Sequence, residues 1–308
     1  MRSLKPKFWD LKQVSFWSVL FLPLTFIYLI SFHIKKLFKT PKKYEIPIIC
    51  IGNIYLGGTG KTPLVREIFN KTKSLGKNPA IIKKNYDYVQ DEINMLEKTG
   101  TVFSSSKREE SILLAFENKY DVAILDDGFQ DFSINPDFSI LCFNSKQSFG
   151  NGLVLPSGPL RESLHSIKRA NCIIINGYKN LNFENGLIKK MGKKKIPIFY
   201  SNYKIRYIEK FKNKEVIAFA GIGNPSNFFD LLKENNINLK KTYSFPDHYK
   251  YTQKDLDEIL ADKSKKVITT EKDFYRLNHA QQKICDYVEV NLEIEDEDKL
   301  MSLIKGFI

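Results

Sequence analysis

From Gln13 to Ile34 the chain has no Asp, Glu, Lys or Arg, and the residues between are apolar on nearly every side. That pattern predicts a helix in contact with hydrocarbon, with a helix buried in the globular core as the alternative. After Pro41 the texture changes. Short runs rich in Ile, Val, Leu and Phe recur at residues 46–51, 79–82, 122–125, 138–143, 172–175 and 196–200. Continuous apolar runs of this length predict strands buried on both faces, as in a parallel sheet. Helix-forming stretches at 64–74, 106–118 and 182–190 are long enough for crossovers, so the pattern is βαβ and the sheet doubly wound. A lysine-rich break at 193–195 and the stretch 202–214 lead into a second α/β series at 216–220, 227–234, 254–260, 266–269 and 272–283. The organisation expected is a membrane-associating helix at 1–43, a core domain at 44–205 and a smaller α/β domain at 206–308.

Composition supports two domains. A chain of 308 residues, 43% hydrophobic, is neither disordered nor a disulfide scaffold, and about 100–200 residues per domain is the usual scale. Cys50, Cys142, Cys172 and Cys285 are widely spaced, with no Cys-x-x-Cys pair. They read as reduced core thiols of a cytosolic protein, with no zinc site.

The net charge of +13 is uneven: residues 1–43 hold nine basic side chains against Asp10 alone, which is +8. Lysines flank the apolar run on both sides, and Trp9, Trp17 and Tyr28 lie near its ends. Ammonium groups and amphipathic rings favour the headgroup zone. No small-residue cleavage site follows, so a signal peptide is not expected. Pro23 would kink the helix, so spanning the bilayer and lying in its interface both remain open. The cluster from Lys35 to Lys43 is expected to face anionic cytoplasmic lipid. Nucleic acid is not an expected partner, because the basic residues gather beside the apolar run and no zinc-finger or RNP-type pattern is present.

The first strand of the core runs into Gly52-Asn53-Ile54-Tyr55-Leu56-Gly57-Gly58-Thr59-Gly60-Lys61-Thr62-Pro63. Strand, glycine-rich loop and helix N-terminus is the setting in which successive N–H groups turn toward phosphate oxygens. Residues 55–62 are therefore the candidate nucleotide-binding segment, with Lys61 for the β/γ-phosphates and Thr62 for Mg²⁺. The strict P-loop spacing wants Gly where this chain has Tyr55, so the glycines are displaced. A later strand ends in Asp126-Asp127-Gly128-Phe129-Gln130, an acid pair placed to hold Mg²⁺ or its water shell. Asn118-Lys119-Tyr120-Asp121 fits a guanine-recognition pattern, but it precedes this strand instead of ending a later one, so ATP is the expected nucleotide.

Further polar clusters are Leu155-Pro-Ser-Gly-Pro-Leu-Arg161-Glu162, Gly221-Ile-Gly-Asn224-Pro225, Phe245-Pro-Asp247-His248 and Thr269-Thr-Glu271-Lys272-Asp273. Taken in order with the shifted phosphate loop and Asp-Asp-Gly-Phe-Gln, they make the chain resemble the tetraacyldisaccharide 4′-kinase family of the lipid A pathway, from about residue 8 to 280. The resemblance implies a P-loop NTPase-like kinase at the cytoplasmic face of the bacterial inner membrane. Such an enzyme phosphorylates the 4′-hydroxyl of a tetraacyldisaccharide 1-phosphate to give lipid IVA, using ATP and Mg²⁺, with no obligate protein partner. It also implies that Asp91 and His248 activate the acceptor hydroxyl, that Lys61, Thr62, Asp126 and Asp127 serve phosphate and metal, and that Asn53, Glu92, Gln130, Arg161 and Glu162 lie on the substrate side. A positioned carboxylate and imidazole suit a sugar hydroxyl, which is a poor nucleophile until its proton has an acceptor. The chain departs from the family at Lys83-Lys84-Asn85-Tyr86, where Ser-Arg-Gly-Tyr is usual, and at Asp131, where His is usual; the segment 86–91 is shortened. The alternative is a membrane-tethered P-loop ATPase acting on a protein partner.

Overall fold

The computed structural model describes residues 6–86, 89–262 and 264–308. Its strands are β1 Ile48–Gly52, β2 Pro79–Lys84, β3 Val102–Ser105, β4 Val122–Asp126, β5 Phe138–Asn144, β6 Cys172–Asn176, β7 Ile198–Ile205, β8 Glu215–Ala220, β9 Asn238–Ser244, β10 Lys266–Thr270, β11 Asp286–Val288 and β12 Val290–Ile294. One sheet has the order β12-β7-β6-β5-β1-β4-β2-β3, the other β11-β10-β8-β9. From β7 to β3 the first sheet is parallel throughout, as is the whole of the second.

Both faces of the first sheet are buried, which is why its strands read as unbroken apolar runs. Ile48, Cys50, Ala80, Ile82, Ala123 and Leu125 pack on Ile112 and Ala115 of helix Arg108–Glu117. In a second cluster, Leu141, Phe143, Ile173 and Ile175 meet Phe183 and Leu187 of helix Leu181–Met191. Each Ile, Leu or Phe among them contributes about 1.5–3 kcal/mol on leaving water. The connections run outward from β1 to β2 and β3, return to β4 beside β1, and then cross to β5 on its other flank. The carboxyl ends of β1 and β4 therefore meet at the reversal of strand order, where open α/β sheets hold ligands.

Chain contacts define a larger unit of Pro6–Asn85, Thr99–Asn202 and Leu292–Ile308, and a smaller unit whose described part lies in Tyr86–Lys98 and Tyr203–Asn291. This differs from the uninterrupted segments expected. The described residues of 86–98 fall in the smaller unit, where Lys98 covers the ring of Tyr275, 4.6 Å from its centroid. The last helix, Glu297–Lys305, belongs to the larger one: it buries Leu300, Met301 and Ile304, and Glu297 pairs with Lys71 at 2.6 Å. The helix expected at 272–283 is two short helices, Glu271–Phe274 and His279–Gln282, because Asn278 restarts the second with a capping box to Gln281.

The apolar run near the N-terminus bears on the two placements left open, spanning and interfacial. It forms two helices, Phe16–Leu20 and Leu22–Leu37. Pro23 lies in the first turn of the second, where its missing N–H breaks no helical bond. The longer helix has 16 residues, about 24 Å at 1.5 Å each, short of a hydrocarbon core of about 30 Å. Among the described residues no helix is long and apolar enough to cross a membrane. Arg2 and Lys5, part of the expected basic cluster, lie outside the described residues.

The ring assignments also change. Trp9 is buried, with its indole N–H donating to the Pro156 carbonyl at 2.9 Å. The Tyr28 hydroxyl donates to the Arg161 carbonyl at 2.7 Å. Of the three expected interfacial rings, Trp17 stands out in the open.

Candidate active site

In the larger unit the phosphate loop follows β1 and ends at Gly60, whose φ of 85° is left-handed and caps helix Lys61–Ser74. A side chain at that φ would add strain of roughly 1–2 kcal/mol, which is why glycine stands there. Gly52 is needed for a different reason: a Cβ there would come within 2.5 Å of that of Phe129. The turn carrying the acid pair can therefore lie directly on the end of β1.

The loop is braced from beneath. The buried Asn53 amide donates to the Tyr55 carbonyl at 2.6 Å and to Thr59 Oγ1 at 2.7 Å. Tyr55 is buried, its hydroxyl donating to Asp10, and the Leu56 N–H donates to the Pro159 carbonyl at 2.9 Å. Asn53, Tyr55 and Leu56 thus shape the loop, while Gly57, Gly58, Thr59 and Gly60 form the stretch leading into Lys61 and Thr62.

Asp126 ends β4 fully buried, and its partner in register on β2 is Lys83. Lys83 Nζ donates to Asp126 Oδ2 at 2.6 Å, whereas Asp126 Oδ1 is buried with no hydrogen-bond partner among the described residues. Asp127 faces Lys61 Nζ at 3.7 Å and receives Arg161 Nη1 on both oxygens, at 2.8 and 3.0 Å. Burial pushes its carboxyl up, but Lys61, Arg161 and Lys83 outweigh that and hold it well below the usual carboxylate range.

Gln130 accepts from Arg161 at 3.1 Å and donates to Glu162 at 2.8 Å. Both oxygens of the buried Glu162 are taken by Arg169, at 2.8 and 2.9 Å. Arg108 donates to the carbonyls of Asp126 and Asp127, and to the Asp131 carboxylate at 3.1 Å. Asp131, where the family usually has His, is thus the counterion of Arg108. Of the substrate-side residues expected, Asn53, Gln130, Arg161 and Glu162 are neighbours here, Glu92 belongs to the smaller unit, and Glu162 spends its carboxylate on Arg169.

An orphaned carboxylate oxygen on Asp126, the Asp127 carboxylate and the Thr62 hydroxyl in the first helical turn suit a hydrated Mg²⁺, which keeps several waters. Among the described residues no group of three His, Cys, Asp or Glu surrounds one point.

The smaller unit holds the other candidates. Asp91 and Glu92 open helix Gln90–Glu97. Asp91 is buried; its Oδ1 accepts the Glu92 N–H at 2.9 Å and its Oδ2 accepts Arg276 Nε at 2.6 Å. His248 Nδ1 stands 3.6 Å from the same Oδ2, so the acid and imidazole expected to act together are neighbours. Lys272 Nζ lies 3.2 Å from His248 Nε2 and 2.8 Å from Glu92. Burial raises the Asp91 carboxyl, and His248, Lys272 and Arg276 overcome this and hold it below its ordinary value. Residues 87 and 88 of the shortened segment lie outside the described residues.

Sequence reasoning missed Lys83, Arg108, Arg169 and Arg276. Lys83 could have been found as a lysine extending an apolar strand on the edge of the acid pair. Arg276 could have been found at three residues past Asp273, the spacing at which helical side chains meet.

A parallel sheet with a glycine loop after β1, a lysine at the following helix and an acid pair ending the adjacent strand define an α/β nucleotide-binding protein of the P-loop kind. The family described as Tetraacyldisaccharide-1-P 4′-kinase, LpxK, matches residues 17–308. A Pelagibacter ubique protein named tetraacyldisaccharide 4′-kinase is 40% identical over 99% of this chain and 98% of its own length. One of the same name from Francisella tularensis subsp. novicida is 32% identical over 94% and 98%. The crystal structure of "apo" form LpxK from Aquifex aeolicus in complex with ATP superposes with a TM-score of 0.73, at 28% identity, covering 94% of this chain and 99% of that one. The chain belongs to the tetraacyldisaccharide 4′-kinase family, and it is a kinase.

Proposed function

We propose that the chain transfers the γ-phosphate of ATP to the 4′-hydroxyl of a tetraacyldisaccharide 1-phosphate, forming lipid IVA. The observation that carries this reading is the loop of Lys61 set against Asp126 and Asp127, in a chain whose relatives bear the kinase name over nearly their whole length. No observation favours a tethered ATPase acting on a protein partner.

The amides of residues 57–62 cradle the phosphates, and Lys61 reaches the β/γ-oxygens. Thr62, Asp126 and Asp127 would hold Mg²⁺, which supplies neutralising charge to the β- and γ-oxygens. Arg161, fixed on Asp127 and Gln130, adds positive charge beside the loop. Asp91 and His248 orient the acceptor hydroxyl and take its proton as its oxygen bonds the γ-phosphorus and the bond to the ADP oxygen breaks. The test uses purified protein in detergent with Mg-ATP and the tetraacylated disaccharide 1-phosphate. Transfer of ³²P to lipid is expected; ATP binding without transfer overturns the reading.

The same proposal seats the N-terminal helices in the interface of the cytoplasmic leaflet. Their polarity is inverted: Ser18 and Thr25 face the protein, at 0% and 6% exposure, while Phe16 is 75% and Phe26 67% exposed. Thr25 Oγ1 donates to Ser157 Oγ at 2.8 Å. An outward apolar stripe next to the lysines at 35–43 suits a lipid surface, where the stems reach hydrocarbon and the ammonium groups meet anionic headgroups. Phe26→Asp is expected to leave the circular dichroism spectrum unchanged and to weaken binding to phosphatidylglycerol vesicles by about 10- to 100-fold, from the loss of one phenyl burial. Unchanged flotation would sink the interfacial placement.

A further inference from the structure

Asp91 is gripped from a side that no sequence motif announces. Arg276 Nε donates to Asp91 Oδ2 at 2.6 Å, and Arg276 Nη1 donates to Asp273 Oδ1 at 2.8 Å and to the Gly221 carbonyl at 2.6 Å. The guanidinium is 9% exposed. Its anchor is firmer still: Asp273 is fully buried, and its carboxylate also receives the Gly221 N–H at 2.9 Å, the Thr270 hydroxyl at 2.6 Å and the Tyr251 hydroxyl at 2.8 Å. A planar fork held at one end by such a cluster leaves little freedom at the other, and charge-assisted bonds of this length are the strong ones.

We propose that Arg276 is the positioning residue of the Asp91–His248 pair, its guanidinium transmitting the rigidity of the Asp273 cluster to the Asp91 carboxylate. The claim rests on the proton-accepting reading of Asp91 and His248 and deepens it. Oδ1 of Asp91 takes the Glu92 N–H and Oδ2 takes Arg276, which fixes the carboxylate plane and brings Oδ2 to 3.6 Å from His248 Nδ1. Lys272 does the complementary work. It sits at the His248 Nε2 and on Glu92, so two cations one turn apart hold the two acids that open helix Gln90–Glu97. The charged and titratable groups around Asp91 are Glu92 on its own helix, Asp247 and His248 on the preceding loop, and Lys272, Asp273 and Arg276 beyond β10. Among the described residues Arg276 reaches the carboxylate at 2.6 Å. Its charge adds to the His248 and Lys272 interactions that hold Asp91 below its ordinary carboxylate value.

Geometry and charge separate in two variants of the full chain, assayed in detergent with Mg-ATP and the acylated disaccharide. Arg276→Lys retains the charge and loses the fork. It is expected to lower kcat by about 10²-fold, the effect of misplacing a reacting group by roughly 1 Å, with the acid limb of the pH profile unmoved. Arg276→Met loses both: the same fall in kcat is expected together with an upward shift of the acid limb of kcat/KM by about 1 pH unit, the lower range for removing an arginine from a carboxylate. ATP affinity should equal wild type in both.

Wild-type kcat in folded Arg276→Lys overturns the proposal, as does a fall in Arg276→Met with the limb in place, because a purely structural loss leaves the pH profile alone. Should Arg276→Met not fold, Arg276→Gln, uncharged but able to donate to Asp273, takes its place, with the same fall in kcat and upward shift of the acid limb expected and an unmoved limb overturning the proposal. Asp91→Asn run alongside isolates the premise: wild-type transfer there removes the role of Asp91, whereas loss of transfer there with full activity in Arg276→Lys removes only the role of Arg276.

Discussion

Lys61→Ala is expected to lower kcat for phosphoryl transfer by about 10³-fold, roughly 4 kcal/mol of transition-state stabilisation, with the fold intact. The magnitude follows from where the charge is spent. As the γ-phosphoryl group departs, negative charge spreads over oxygens that only fixed cations and donors can meet, and a preorganised ammonium in the loop meets it without reorganisation. The side chain is mostly covered and 3.7 Å from Asp127. Its removal leaves Asp127 held by Arg161 at 2.8 Å, so the melting temperature should move little. Single-turnover ³²P transfer measures the first effect and thermal unfolding the second. A variant that transfers at more than a tenth of the wild-type rate would show that another cation carries the phosphate, and Arg161 is the nearest candidate.

The second large effect belongs to Asp91→Asn. The change conserves shape and the Glu92 N–H contact but removes the proton acceptor and the charge facing Arg276, and the expected fall in kcat is about 10²- to 10⁴-fold. Because the nucleotide loop and Asp91 belong to different compact units, ATP affinity measured by fluorescence titration should stay at the wild-type value. An equal loss of binding and transfer would instead make Asp91 a structural carboxylate. The wild-type pH dependence has a definite sign. Asp91 is held below its ordinary carboxylate value, so its base form persists to low pH, and activity attributable to it falls only as pH drops through that lowered value.

These expectations differ in how much of their basis could be read along the chain. The phosphate loop is a contiguous string in which each glycine, the lysine and the threonine act through their own backbone and first helical turn, so local spacing is enough. The acid pair at 126–127 was likewise legible as the end of an apolar strand. The parallel order of the first sheet followed from unbroken apolar runs separated by helices. By contrast, β9, Asn238–Ser244, reads as polar because it is largely exposed, and it escaped notice.

The supports of the site were invisible for the opposite reason: their partners are remote in sequence. Lys83 and Asp126 are 43 positions apart, Arg161 and Asp127 34, and Arg276 and Asp91 185. A lone arginine or lysine in a basic chain carries no mark of the carboxylate it will meet. Only strand register and crossover geometry decide that.

The sequence by itself therefore determined most strands of the first sheet, the nucleotide loop, the acid pair and the apolar stretch at the N-terminus, because each is a property of neighbours along the chain. Tertiary structure decided the rest. It turned the apolar run into two helices with Ser18 and Thr25 inward, because the segment 151–161 offers those hydroxyl groups and Tyr28 partners that hydrocarbon does not. It sent residues 86–98 and 292–308 to units other than their neighbours'. It also set Arg276 between Asp91 and Asp273, since the pairing of buried charges depends on which strands lie side by side, and that ordering is settled by packing the whole sheet.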